Sequence, residues 1–218
     1  MLETYPKVAA LAEAAAHAVE ACLADGLKTR GRASLVATGG RMPGPVYDRL
    51  REARIDWARV VVTLSDERSV EPDAPESNAR LLRERLFVGE AAKAHFLPLT
   101  DYAEPALKAL APFDAVLLGM GEDGHVASLI PGSPALAQGM DPAGERMLLD
   151  VPAGVGSPPL ARTSLTLAAL LQARAIFLLI SGAAKREVLA RAEAGAELPV
   201  RALLAQARVP VRVLWAPQ

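Results

Sequence analysis

Four short runs of aliphatic residues recur along this chain: ASLVAT (33–38), RVVVTLS (59–65), FDAVLLG (113–119) and AIFLLIS (175–181). None alternates apolar with polar, so each reads as a strand buried on both faces. The segments between them carry helical spacing: residues 7–24, VYDRLREA (46–53), ARLLRERLF (79–87) with Ser77 or Asn78 as N-cap, TLAALLQAR (166–174), and GAAKREVLARAEAG (182–195). RMLLDVP (146–152) and VRVLW (211–215) complete the strand candidates. Strand and helix in alternation predict an α/β fold, a mostly parallel open sheet with helices on both faces, Rossmann-like and doubly wound. With no repeat, low-complexity tract or linker among 218 residues, one domain over 1–218 is the expectation. Aromatics are only 4% of the chain, so alanine, leucine and valine must fill the core.

The polar motifs fall at one end of this pattern. TGG (38–40), SDER (65–68), GMGEDGH (119–125) and SGAAK (181–185) each follow a strand directly. In an open parallel sheet such loops gather at the carboxyl edge, where ligands bind. Glycines, acids, bases and a histidine should therefore converge on one rim.

GMGEDG contains a literal G-x-G-x-x-G, but its context does not suit a dinucleotide. HVASLI runs into PGSP, so a helix there ends within about two turns at roughly 3.6 residues per turn. Asp141 lies in a loop, and Asp150 is further along than that fingerprint prefers. The alternative is that the glycines admit a small ligand close to the backbone while Asp123 and His125 face it. Histidine is the side chain best suited to exchange a proton near neutral pH. Asp123 could equally cap a short helix over GHVASL, and His125 could be a structural histidine. His17, on a helix, and His95, beside FLPL, suit packing roles better. No cluster has zinc-ligand spacing, no G-x-S-x-G elbow appears, and no Walker loop is present.

Cations surround the same rim. Arg68 lies in the expected loop after RVVVTLS, beside Asp66 and Glu67. Lys185 falls in the first turn of a helix, where a positive charge opposes the macrodipole unless an anion shares the site. Gly39 and Gly40 open a backbone-lined turn next to Arg41, and Arg162 is expected from a further loop. Together these groups could hold a phosphate by charge-assisted hydrogen bonds. The chain as a whole is nearly neutral, with 24 Lys+Arg against 25 Asp+Glu, which offers nucleic acid or an anionic membrane no bulk field. One cysteine, Cys22, excludes an internal disulfide and fits a reducing compartment. It is expected to be buried and inert. The first residues lack the arrangement of a secretory leader, and AIFLLI is too short to span a bilayer, so a soluble cytoplasmic protein is expected.

VTLSDERSVEPDAPESNARLLRERL, FDAVLLGMGEDGHVASLIPGSP and PPLARTSLTLAALLQAR, between about Leu35 and Lys185, resemble 6-phosphogluconolactonases. Their wider superfamily includes glucosamine-6-phosphate deaminases, which share a DGH loop but read D-E-Y where this chain has DER. The resemblance implies hydrolysis of 6-phospho-D-glucono-1,5-lactone to 6-phosphogluconate with neither metal nor organic cofactor. It implies His125 as general base, with Asp123 orienting it or the substrate. Arg68 and Lys185 would bind phosphate, with Gly39, Gly40 and Arg162, while Asp66 and Asn78 support the loop carrying Arg68. The sugar-phosphate lactone would be the partner. The family usually reads Ser-Gly-Gly-Ser-Thr-Pro where this chain has TGGRMP, so Arg41 and Met42 replace two hydroxyl residues; Val126 stands where threonine is common. The competing readings are a glucosamine-6-phosphate deaminase on the same fold and a non-catalytic sugar-phosphate-binding domain.

Overall fold

The computed structural model describes residues 2–217. In chain order its strands are β1 (Leu2–Thr4), β2 (Ala33–Ala37), β3 (Val60–Leu64), β4 (Asp66–Arg68), β5 (His95–Phe96), β6 (Ala115–Gly119), β7 (Leu148–Val151), β8 (Arg162–Leu165), β9 (Ile176–Ser181) and β10 (Val211–Ala216). Seven of them form one sheet in the order β1-β10-β9-β6-β2-β3-β5, and every neighbouring pair is parallel. The α/β parallel sheet expected from the apolar runs is therefore present.

Burial explains why these runs do not alternate. All five residues of β2 are buried, as are Ala115–Leu118 of β6 and Ile176–Ile180 of β9. Strands covered on both faces have no solvent side on which to place a polar residue. The edge strands differ. β1 is three residues and β5 two, both only partly buried, and neither carries an apolar run that sequence reasoning could detect. The β1 edge is instead fastened by charge: Arg212 of β10 donates from Nε to Glu3 Oε1 (2.6 Å) and from Nη2 to Oε2 (2.8 Å). The Arg212 hydrogen bonds pull the Glu3 carboxyl down to about 2 against the opposing effect of burial, with help from the Tyr5 hydroxyl.

The strand order sets the position of the site. From β2 the chain steps to β3 and β5 on one side, then returns to β6 on the other side of β2 and continues outward through β9 and β10. Right-handed crossovers stepping in opposite directions lie on opposite faces of the sheet, which opens a crevice at the carboxyl ends of β2 and β6. The loops beginning at Thr38 and Met120 flank that crevice.

Four segments depart from the sequence expectations. DER is a strand rather than the start of a loop, and Arg162 opens β8 rather than lying in a loop. With β7, the RMLLDVP strand, they form a separate antiparallel sheet in the order β4-β8-β7. Its partners are nearly 100 residues apart and polar, so no local pattern announces the pairing. The helix expected over 166–174 covers only Leu167–Leu170, although Thr166 caps it as a hydroxyl should (Ala169 N to Oγ1, 3.1 Å). The chain leaves the helix because Gln172 O accepts from Phe113 N and Arg174 N donates to Phe113 O, which extends the ladder ahead of β6. Finally, residues 124–130 form a loop with one tight turn closed by the Val126–Leu129 bridge, rather than a helix.

The buried apolar side chains form one cluster from Leu11 to Ala216. The first long helix, Val8–Arg30, contributes Leu11, Ala12, Ala15, Ala16, Val19 and Leu23. Ala18 and Cys22 flank that stripe and are only partly buried. Burial still pushes the Cys22 thiol up, which disfavours the thiolate.

Candidate active site

At the crevice predicted by the strand order lies a cavity of about 680 Å³. Its wall includes Thr38, Gly39 and Gly40 after β2, Gly119–Glu122 and His125 after β6, Lys185 after β9, and Asp66, Arg68 and Arg162 from the small sheet, with Asn78 beneath. All these rim residues singled out from sequence are thus brought together; Asp123 stands one contact behind, against His125. His17 and His95 are exposed elsewhere, and His95 Nε2 lies 3.0 Å from Ala58 O.

His125 and Asp123 form a closed pair. Asp123 Oδ1 lies 2.5 Å from His125 Nδ1 and also accepts from the His125 amide (3.2 Å). Burial pushes the Asp123 carboxyl up, but the hydrogen bond and charge of His125 outweigh it and hold it below the ordinary carboxylate range. An ionised carboxylate can only accept, so Nδ1 must carry the ring proton and Nε2 is left with its lone pair free. Asp123 therefore sets a tautomer rather than capping a helix. The glycines have corresponding reasons. A Cβ on Gly121 would stand 2.2 Å from His125 Nδ1 and 2.4 Å from Asp123 Oδ1. Gly124 has φ +79° and faces Leu198. The G-x-G-x-x-G pattern here builds a seat for a histidine–aspartate pair. Two residues further on, Ala127 holds φ 49°, an uncommon conformation for a side-chain-bearing residue, which turns the chain toward Ser128.

The cations line the same cavity. Arg68 and Arg162 are direct partners across β4 and β8, two like charges in register, an arrangement that is unfavourable unless something anionic lies between or above them. Arg162 is 3% exposed, and burial followed by the charge of Arg68 pushes its guanidinium down, with Asp66 and Asp123 opposing. Arg68 Nη1 donates to Glu76 O (2.6 Å) and Arg162 Nη2 to Pro158 O (2.7 Å), while Nε of both arginines has no partner among the described residues. Burial also pushes the Lys185 amine down; Glu122 opposes this and Arg41 adds to it. Lys185 is the third residue of the helix Ala183–Glu193, in its first turn as expected.

The support beneath was only partly legible. Asn78 Nδ2 donates to Asp66 O (2.8 Å), and its Oδ1 lies 1.7 Å from where a Gly39 Cβ would be, so this turn needs glycine. Gly40 follows at φ +99°. Asp66 accepts from Ser65 Oγ (3.0 Å) and Ser128 Oγ (2.6 Å). Two residues were missed. Glu67 accepts from the amides of Arg68, Asn78 and Ala79 and from Ser77 Oγ, which ties β4 to the start of the helix Asn78–Arg85. Ser128 receives Arg162 Nη1 (3.5 Å) as well as holding Asp66. A carboxylate beside an SN helix start is a capping signal, but the nine residues between Glu67 and Ser77 hide it; nothing local marks Ser128. Among the described residues no group of three or more His, Cys, Asp or Glu could hold a metal.

Known proteins are similar to this chain over nearly its whole length. A 6-phosphogluconolactonase of Caulobacter vibrioides is 45% identical over 99% of this chain and 97% of its own. One from Rhizobium meliloti is 41% identical, covering 99% and 98%. The crystal structure of a 6-phosphogluconolactonase from Shewanella baltica superposes with a TM-score of 0.90 at 34% identity, covering 99% of this chain and 97% of that one. The family model described as glucosamine-6-phosphate isomerases/6-phosphogluconolactonase matches residues 6–215, and the chain belongs to that family.

Proposed function

We propose that this protein hydrolyses 6-phospho-D-glucono-1,5-lactone to 6-phospho-D-gluconate, a step of the oxidative pentose phosphate pathway. The observation that carries the reading is the Asp123–His125 pair sharing one cavity with paired, partly unsatisfied arginines. The lactone carbonyl is already electrophilic, so no covalent enzyme intermediate is needed. His125 Nε2 takes a proton from water as the water oxygen bonds to C1. The ring C1–O bond then breaks, and the imidazolium returns the proton to the departing ring oxygen, leaving a hydroxyl and a carboxylic acid that ionises. General catalysis of this kind contributes about 10²–10⁴ in rate. Asp123 fixes the tautomer and stabilises the imidazolium.

Arg68, Arg162 and Lys185 hold the phosphate, and the Gly39–Gly40 turn lets backbone approach it. Asp66 and Asn78 support the strand and turn that present them. The amides of Gly121, Gly124 and His125 already donate within their own turn, which removes these three as donors to charge developing on the lactone oxygen. Holding the phosphate end orients C1 against the base. The whole chain acts as one domain, without metal or organic cofactor and without nucleic acid as a partner. A phosphorylated metabolite and a single free thiol suit the cytoplasm; no helix of the described residues is long and apolar enough to cross a membrane.

The test is the loss of freshly generated 6-phosphogluconolactone near pH 7, with and without chelator, alongside ammonia release from glucosamine 6-phosphate. The reading predicts accelerated lactone loss that the chelator leaves unchanged, and no ammonia. Spontaneous-rate decay, or ammonia release, contradicts it.

A further inference from the structure

The loop that carries Asp123 and His125 is closed mostly on itself. Gly121 N donates to His125 O (3.0 Å), Gly124 N donates to Gly121 O (3.1 Å), and Asp123 holds both the amide and the ring of His125. Among the described residues, one hydrogen bond joins residues 121–125 to the rest of the chain: Val200 N donates to Gly124 O (3.0 Å). Val200 is the second residue of the helix Pro199–Ala205, where an amide has no acceptor within its own helix. The residue ahead of that helix breaks a local rule. Leu198 occupies the N-cap, a position that favours a side-chain oxygen, and makes no capping hydrogen bond. Its contact is with the loop instead. A Cβ on Gly124 would stand 2.9 Å from Leu198 Cβ and 3.2 Å from its Cγ and Cδ1, the three nearest atoms beyond the chain neighbours. Gly124 is the residue between Asp123 and His125, so leucine fills the space into which their turn would otherwise relax.

We propose that Leu198 is a positioning residue for the hydrolysis: with the Val200 amide, its side chain holds the Gly124 turn so that the Asp123–His125 pair keeps its aim into the cavity. The described residues that line the cavity do not include Leu198, so it acts only through the loop. Pro199 stiffens the support, because its ring fixes the backbone between the two contacts. The inference rests on the lactonase reading above and adds to it a segment near the far end of the chain.

The test compares Leu198→Ala, Leu198→Met and Leu198→Ala combined with His125→Ala. Three quantities are read: kcat on 6-phosphogluconolactone, calorimetric affinity for glucose 6-phosphate, and amide hydrogen exchange. Leu198→Ala should lower kcat by about tenfold, short of the roughly 10²-fold cost of a misplacement of about 1 Å. Affinity should stay within about twofold of wild type, because the cation side is untouched. Leu198→Met, similar in volume and adaptable in shape, should bring kcat back to within about threefold of wild type. In the His125→Ala background the truncation should cost nothing further. The Gly121 and Gly124 amides should exchange faster in Leu198→Ala while those of β6 and β9 keep their protection. If Leu198→Ala does not fold, Leu198→Val makes the same comparison with a smaller loss. Unchanged kcat, a loss that multiplies with that of His125→Ala, or affinity that falls with turnover would overturn the assignment. A wild type that does not accelerate lactone hydrolysis would sink the lactonase reading, and the exchange of the two glycine amides would still decide whether Leu198 holds the loop.

Discussion

Gly121→Ala puts the proposed base under direct strain. Gly121 does not have a positive φ, so alanine fits the backbone and the whole cost is contact. The added methyl would sit 2.2 Å from His125 Nδ1, 2.3 Å from Cε1 and 2.4 Å from Asp123 Oδ1, where ordinary contact begins at 3.4 Å. The ring and the carboxylate must therefore retreat by about 1 Å, or the turn must open. A misplacement of about 1 Å costs on the order of 10²-fold in rate when orientation is the source of catalysis. The ceiling is the complete general-base contribution, about 10²–10⁴. The assay is kcat on freshly prepared lactone, with calorimetric affinity for glucose 6-phosphate showing that the cation side is intact. Because both substitutions would act through one group, Gly121→Ala combined with His125→Ala should be no slower than His125→Ala alone. Wild-type kcat in Gly121→Ala would refute the reasoning, as would a double variant whose loss is the product of the two single losses.

Arg68→Ala should raise KM for the phosphorylated lactone far more than for unphosphorylated glucono-1,5-lactone, as a comparison of kcat/KM for the two substrates would show; an equal effect on both would remove Arg68 from the phosphate site. Glu3→Gln addresses the sheet edge. The Glu3 carboxyl is held at about 2 in the folded protein against an ordinary 4.5, so its stabilisation is complete above pH 4.5 and is lost as the pH falls toward 2. Urea midpoints should therefore fall more steeply between pH 6 and pH 3 in the wild type than in Glu3→Gln, whose curve should start lower and be flatter; parallel curves would contradict the assignment.

How legible the molecule was in its sequence depended on whether a residue's partner lay nearby. β2, β3, β6 and β9 were readable because strands shielded on both faces are mostly apolar without alternation, which needs no knowledge of the partner. The β4-β8-β7 sheet was not, because Asp66 pairs with Ser164 and Arg68 with Arg162 across almost the whole middle of the chain. The same distinction runs through the site. Asp123 and His125 are two residues apart in a glycine-rich loop, so their pairing was foreseeable. Arg68 and Arg162 were singled out individually, yet their register as direct neighbours is a tertiary fact. The helices Glu104–Leu110 and Pro199–Ala205 were overlooked; both are seven residues long, with a proline at the first turn and too few turns to establish a period.

The central claim is that His125 does the proton transfer while a separate set of cations holds the phosphate. Its most direct test is His125→Ala, measured for both kcat on 6-phosphogluconolactone and calorimetric affinity for 6-phosphogluconate. The account predicts a fall in kcat of roughly 10²–10⁴ with product affinity within a few-fold of wild type. Turnover that survives the substitution, or affinity that collapses together with turnover, would contradict it.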